Sequence, residues 1–233
     1  MSAPKVWSKF SVNKGGDTIN LRVVDMPESL TEEVLTSYIN YFMKEDSMCK
    51  AAGVLKNPEA IEELRGTMLE FAKDEGFHGV ICCLDNGDGP IKEFIGASMM
   101  TLESKQESMP EFKLKTEELN KMYDIYFGLE AYYDEAKELG LDSYFSDRGL
   151  FVHSEYRNLG IEQELFKVRR LICKERGISS VGAWMTTQDL EKAAEGDGWE
   201  VGCEVKYEEL GQKYGVNLEA DTASLKYMFA RTK

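Results

Sequence analysis

The chain has 233 residues, 42% hydrophobic and 30% charged, enough apolar material for one substantial α/β core. Its formal net charge of −14 excludes the concentrated basic surface that nucleic acid requires and favours cationic ligands. No apolar run approaches the roughly 20 residues that span a bilayer, and MSAPKVWSKF lacks a secretory apolar region, so a cytoplasmic chain with no membrane or nucleic-acid partner is expected.

Cys49, Cys82, Cys83, Cys173 and Cys203 are scattered, odd in number and without paired metal-ligand spacing. Two histidines, His78 and His153, leave little material for zinc. Buried free thiols and no metal are expected.

In chain order, residues 1–17 carry no assigned element and read as a flexible leading segment. Residues 18–24 form a strand. Thr31 then caps a helix bearing Val34, Leu35, Tyr38, Tyr41 and Phe42 on one side, which stops near Asp46. Asn57 before Pro58 starts a second helix, with Ile61, Leu64, Met68 and Phe71 at helical spacing and Gly76 at its end. The apolar run 79–84, the turn DNGDGP and residues 93–102 read as an antiparallel hairpin. A polar link over 103–110 leads into one long helical stretch from about 116 to 139, capped by Gly140.

Residues 150–152 form a short strand that passes through HSEYRNLG into a helix with Ile161, Leu165, Val168 and Ile172 on one stripe, closed by Gly177. A strand over 178–185 follows, Thr186 with Asp189 offers a capping box for another helix, and residues 196–198 break it. Two late strands show apolar alternation: Trp199 to Tyr207, then Leu225, Tyr227 and Phe229.

The strand-to-helix passage carries the chemistry. Free amides in a helix's first turn, aided by the helix dipole, hold a diphosphate with few positive side chains. In RNLGIE, Gly160 lets backbone approach a ligand and Arg157 adds a fixed charge. By spacing alone the segment reads equally as an ordinary loop-to-helix junction.

Val152, Arg157 and Gly160 match, in order and spacing, the signature of the GNAT superfamily of N-acetyltransferases. GLFVHSEYRNLGIEQELF and GDGWEVGCEVKYEEL resemble segments of the insect arylalkylamine N-acetyltransferase group, so the specific likeness covers about residues 149–210. The resemblance implies a single GNAT-like α/β domain over 1–233, with a mixed, partly splayed central sheet flanked by helices. It implies acetyl-CoA as co-substrate: Phe151 and Val152 would offer backbone groups to pantetheine and thioester, and Arg157, Asn158, Leu159, Gly160, Ile161 and Glu162 would cradle the diphosphate. Glu162 departs from the family's Gly or Ala. Lys167, Arg169, Arg170, Lys174 and Arg176 either reach the CoA 3′-phosphate or form a solvated face.

Direct attack of an amine on a thioester needs a group to take the ammonium proton. LysGluAspSerMet (residues 44–48) resembles the stretch that carries the catalytic Glu in the insect group, and its register puts Asp46 there, beside Glu45. The group's late serines have no clear counterpart, though Thr186 or Thr187 could supply a hydroxyl. No general acid is assignable. Aromatic residues between 123 and 145 would wall an amine pocket or pack the core. The expectation is an acetyl-CoA-dependent N-acetyltransferase, monomer or weak homodimer, acting on a small primary amine: an arylalkylamine such as dopamine, serotonin or tyramine, or a polyamine such as agmatine. Alternatives are a protein or amino-acid N-acyltransferase and a non-catalytic CoA-binding protein.

Overall fold

The computed structural model describes residues 3–87, 89–91, 93–104 and 113–232. The chain begins with strands β1 (Val6–Lys14) and β2 (Asp17–Asp25), followed by helices α1 (Thr31–Tyr38), α2 (Ser47–Ala52) and α3 (Pro58–Phe71). A hairpin of β3 (Phe77–Leu84) and β4 (Phe94–Ser104) precedes α4 (Glu117–Gly128) and the short α5 (Glu135–Glu138). The second half runs β5 (Ser143–Val152), α6 (Ile161–Arg176), β6 (Ser180–Met185), α7 (Gln188–Gly196), β7 (Glu200–Lys206), α8 (Tyr207–Tyr214) and β8 (Ser224–Arg231).

All eight strands join one mixed sheet, ordered β1-β2-β3-β4-β5-β6-β8-β7. Every neighbouring pair is antiparallel except β5 and β6, which are parallel and meet only at Phe145 with Val181 and Ser146 with Gly182. Beyond Gly182 the two strands part, leaving a cleft beside the Val152 end. The splayed sheet expected from the sequence is therefore present.

Alternation along the strands divides the apolar side chains between two faces. Leu21, Val23, Val80, Cys82, Ile95, Leu150 and Val152 pack with α6 through Ile161, Leu165, Val168 and Ile172. Val24, Ile81, Cys83, Ala97, Met99 and Phe151 pack on the opposite face against α1, α3 and α4.

Several expectations need correction. The leading segment contains β1, an edge strand with only Val12 buried, so its apolar pattern is weak. Thr31 is the first residue of α1 and makes no capping bond; a 3-10 turn, Glu28–Leu30, leads in. The first helix continues through a π-helical turn, Ile39–Met43, and stops near Asp46 as expected, but Asp46 also caps α2, a helix missed in the sequence. The long helix expected over 116–139 breaks at Gly128. A Cβ there would overlap the Tyr214 hydroxyl from α8, a helix missed in the sequence. Thr187, not Thr186, caps α7, accepting from the Leu190 amide at 3.3 Å. Most of the polar link over 103–110 and Asp88 of the hairpin turn lie outside the described residues.

Gly76 does not end the second helix, which stops at Phe71 with Ala72 as its C-cap, whereas the remaining cap readings match the structure. Asn57 Oδ1 accepts from the Glu59 amide at 3.0 Å, and Gly140 and Gly177 adopt positive φ after their helices. Cys49, Cys82, Cys83 and Cys173 are buried free thiols, while Cys203 is half-buried; burial pushes Cys49 and Cys173 up to about 12.

Candidate active site

The cleft between β5 and β6 opens onto the loop that feeds α6. Asn158 and Gly160 both take positive φ, 61° and 78°, turning the chain sharply so that α6 starts at Ile161. No side chain caps that helix, and its first turn faces the cleft with Leu150, Phe151, Val152, Arg157 and Glu162. Of the predicted cofactor residues, Phe151, Val152, Arg157 and Glu162 line this cleft, whereas Ile161 is buried in the core and Leu159 packs against it.

Two carboxylates already engage this cradle. Glu45 pairs with Arg157 at 2.8 Å, and Arg157 Nε also reaches the Val152 carbonyl at 3.4 Å. Glu162 accepts from its own amide, and burial followed by nearby Asp189 raises its pKa. The local positive charge is partly neutralised before any anion arrives. The uncapped turn and the arginine fit a diphosphate, and the Glu162 carboxylate would have to turn away from its amide to admit one.

Asp46 and Glu45 separate in role. Glu45 is exposed and bound to Arg157, whereas Asp46 is 2% exposed and caps α2, its Oδ1 accepting from the Cys49 amide at 2.7 Å. Asp46 Oδ2 makes no well-aligned hydrogen bond, and the Tyr126 hydroxyl is its polar neighbour. Burial raises the Asp46 pKa, opposed by the Cys49 amide and Tyr126. A buried carboxylate with an open oxygen beside the cleft is equipped to accept a proton.

A cavity of about 240 Å³ lies between the sheet and helices α1, α3 and α4, meeting the cleft at Phe42. Its wall is largely aromatic, with Tyr38, Tyr123, Tyr126, Tyr133, Tyr144 and Trp184 among the lining side chains. The midchain aromatics thus divide: many wall a cavity, but Phe145 packs in the core on the other face. Because Thr187 takes the capping position, the Thr186 hydroxyl is left buried without a partner at this cavity. Glu135 also lines it, unmarked in the sequence because it occupies a polar stretch typical of a solvated face.

The basic run on α6 is not a free cationic face. Arg169 is 0% exposed and stitches the sheet from below: Nε donates to Ser98 Oγ at 2.7 Å, and Nη2 donates to Asp147 Oδ1 at 2.5 Å and the Gly149 carbonyl at 3.2 Å. These contacts surround the irregularity in β5, where the register shifts between Met99 and Met100 of β4. Arg170 pairs with Asp197 and Lys167 with Glu164, leaving Lys174 and Arg176 near the far end of α6. Among the described residues no group of His, Cys, Asp and Glu could hold a metal, and no helix is long and apolar enough to cross a membrane.

A sheet in this order, parted between its central parallel strands above an uncapped helix start, is the fold of the GNAT superfamily of N-acetyltransferases. No family model matches the sequence, and no curated protein matches it. Among solved structures, the chain resembles the protein designated arylalkylamine N-acetyltransferase 7 of the yellow fever mosquito Aedes aegypti, with TM-score 0.85 and 21% identity over 100% of this chain and 97% of that one. Arylalkylamine N-acetyltransferase 2 of the same mosquito follows at TM-score 0.72 and 15% identity, covering 91% and 99%. A polyamine N-acetyltransferase of Drosophila melanogaster that forms N-acetylagmatine gives 0.69 and 12%, again over 91% and 99%. At these identities the likeness is one of fold.

Proposed function

We propose that the chain is an acetyl-CoA-dependent N-acetyltransferase acting on a small primary amine. The observation that carries this reading is the conjunction, at one sheet opening, of an uncapped helix start with a buried, partly unsatisfied carboxylate, Asp46. The adjoining aromatic cavity suits an arylalkylamine or an aliphatic polyamine, since aromatic faces attract ammonium groups.

In this reading Phe151 and Val152 offer backbone groups along the cleft, and residues 157–162 receive the diphosphate. Acetyl-CoA, when bound, supplies an acetyl group activated as a thioester. Asp46 Oδ2 takes the proton from the incoming ammonium and passes it to solvent. The neutral nitrogen then bonds to the acetyl carbon as the C–S bond breaks, and its second proton neutralises the leaving thiolate.

Asp46→Asn tests the assignment, because asparagine retains an N-cap for α2 while losing the base. The expected result is a fall in kcat of roughly a hundredfold with little change in acetyl-CoA affinity. Calorimetry showing no acetyl-CoA binding at millimolar concentration would defeat the enzymatic reading, and peptide turnover exceeding amine turnover would defeat the small-amine acceptor. The engagement of Arg157 by Glu45, and of the Glu162 amide by its own carboxylate, favours one second reading: a non-catalytic CoA-binding protein. That reading predicts acetyl-CoA binding without thiol release for any amine.

A further inference from the structure

The aromatic cavity ends at a carboxylate that neither the cradle nor the proton acceptor uses. Glu135, in α5, is 1% exposed. Its Oε2 accepts from the Tyr227 hydroxyl of β8, while Oε1 has no hydrogen-bond partner among the described residues. The room it occupies comes from Gly182 of β6, where a Cβ would overlap both the Glu135 carboxylate and the Tyr227 hydroxyl. Gly182 is also the last β6 residue paired with β5, so Glu135 sits where the two strands begin to part.

Among the described residues no cation pairs with it. Arg148, which also lines the cavity, pairs with Glu103, and Asp147 is held by Arg169. The groups facing Glu135 are the hydroxyls of Ser180 and Tyr227 and the rings of Tyr133 and Tyr144, with the Cys173 thiol nearby on α6. Glu130 lies on the same cavity, exposed to solvent. Burial pushes Glu135 up to about 7, against the opposing influence of the Ser180 and Tyr227 hydroxyls. A carboxylate desolvated with one oxygen open toward a cavity is held ready for a cation or a donor.

We propose that Glu135, supported by Tyr227, is the counter-ion for a second, distal ammonium group of the acceptor, so that the cavity selects an aliphatic diamine over a monoamine of equal length. This rests on the acetyltransferase reading and narrows its substrate class. The span agrees with it: Ser146, opposite Gly182, pairs with Thr101 of β4, and Leu150 and Phe151 at the cleft pair with Ser98 and Ala97, so allowing for the β5 irregularity three to four regular residues, about 10–14 Å of strand, separate them. An extended six-carbon diamine, with a carboxylate side chain reaching in from each end, bridges that distance. The tyrosine and tryptophan rings between would cover the methylenes.

The test compares hexamethylenediamine with n-hexylamine on wild type, Glu135→Gln and Glu135→Asp. Wild type should prefer the diamine in kcat/KM, and Glu135→Gln should lower the diamine-to-monoamine ratio by roughly ten- to a hundredfold, mainly through KM. Glu135→Asp should restore part of the preference. Calorimetric titration with hexamethylenediamine alone reads the same site without turnover. Wild-type affinity should rise as pH climbs through about 7, with release of about half a proton at that pH. A ratio unchanged in Glu135→Gln, or wild-type diamine affinity indifferent to pH, overturns the proposal while leaving acetyl transfer to monoamines standing. Absence of acetyl transfer to every amine, with diamine binding retained, overturns the acetyltransferase reading instead.

Discussion

Replacing Glu45 by Gln should tighten acetyl-CoA binding. Glu45 holds Arg157 at 2.8 Å, in a pair whose side chains are 54% and 29% exposed. An ion pair that accessible is worth about 0.2–1 kcal/mol. A diphosphate that recruits Arg157 must give up this pairing, so removing the competing charge should lower Kd by a factor of about 1.4 to 5. Arg157→Gln should act oppositely and more strongly, weakening binding by roughly tenfold or more, because a charge-assisted hydrogen bond is lost. With both substitutions present, the gain from Glu45→Gln should nearly vanish. Calorimetric titration of acetyl-CoA at low and moderate salt measures all four corners of the cycle, and the gain should shrink as salt screens the pair. Weaker binding in Glu45→Gln, or an equal gain with and without Arg157, would refute the competition argument.

Two predictions concern stability. Arg169→Met leaves Asp147 without its partner beneath the sheet, and should cost about 3–5 kcal/mol, read as a clear loss in urea midpoint with an unchanged slope. For Glu135, burial raises the folded-state pKa to about 7, so the stability linked to its protonation is complete below the ordinary glutamate pKa and is lost as pH rises through about 7. Glu135→Gln should therefore unfold like wild type near pH 4, yet be more stable above pH 8 by on the order of 3 kcal/mol. Equal midpoints at both pH values would count against a desolvated carboxylate there.

Where local chemistry determines structure, the sequence was readable. Asn57 before Pro58 gave the start of α3, the α6 stripe gave its buried face, and the passage from Val152 through Gly160 gave the turn from strand into α6. Distant packing was opaque. β1 buries only Val12 at a sheet edge, so periodicity carried little signal. The glycine that ends α4 makes room for Tyr214, 86 positions later in the chain. Arg169 looked like its basic neighbours and differs because the β5 irregularity brings Asp147 and the Gly149 carbonyl to it. Glu135 carries no local mark. The clue was the glycine at 182, whose missing side chain makes its room.

The parting of β5 from β6 also bears on how the chain survives in solution. Strand edges offering unpaired amides normally lie at the rim of a sheet, where proteins shield them from foreign strands. Here two such edges face each other in the interior, held together by two residue pairs. A ligand bearing amides of its own would behave as a ninth strand and close the ladder. A molecule bound there would stabilise the folded chain by mass action, in proportion to the logarithm of its concentration.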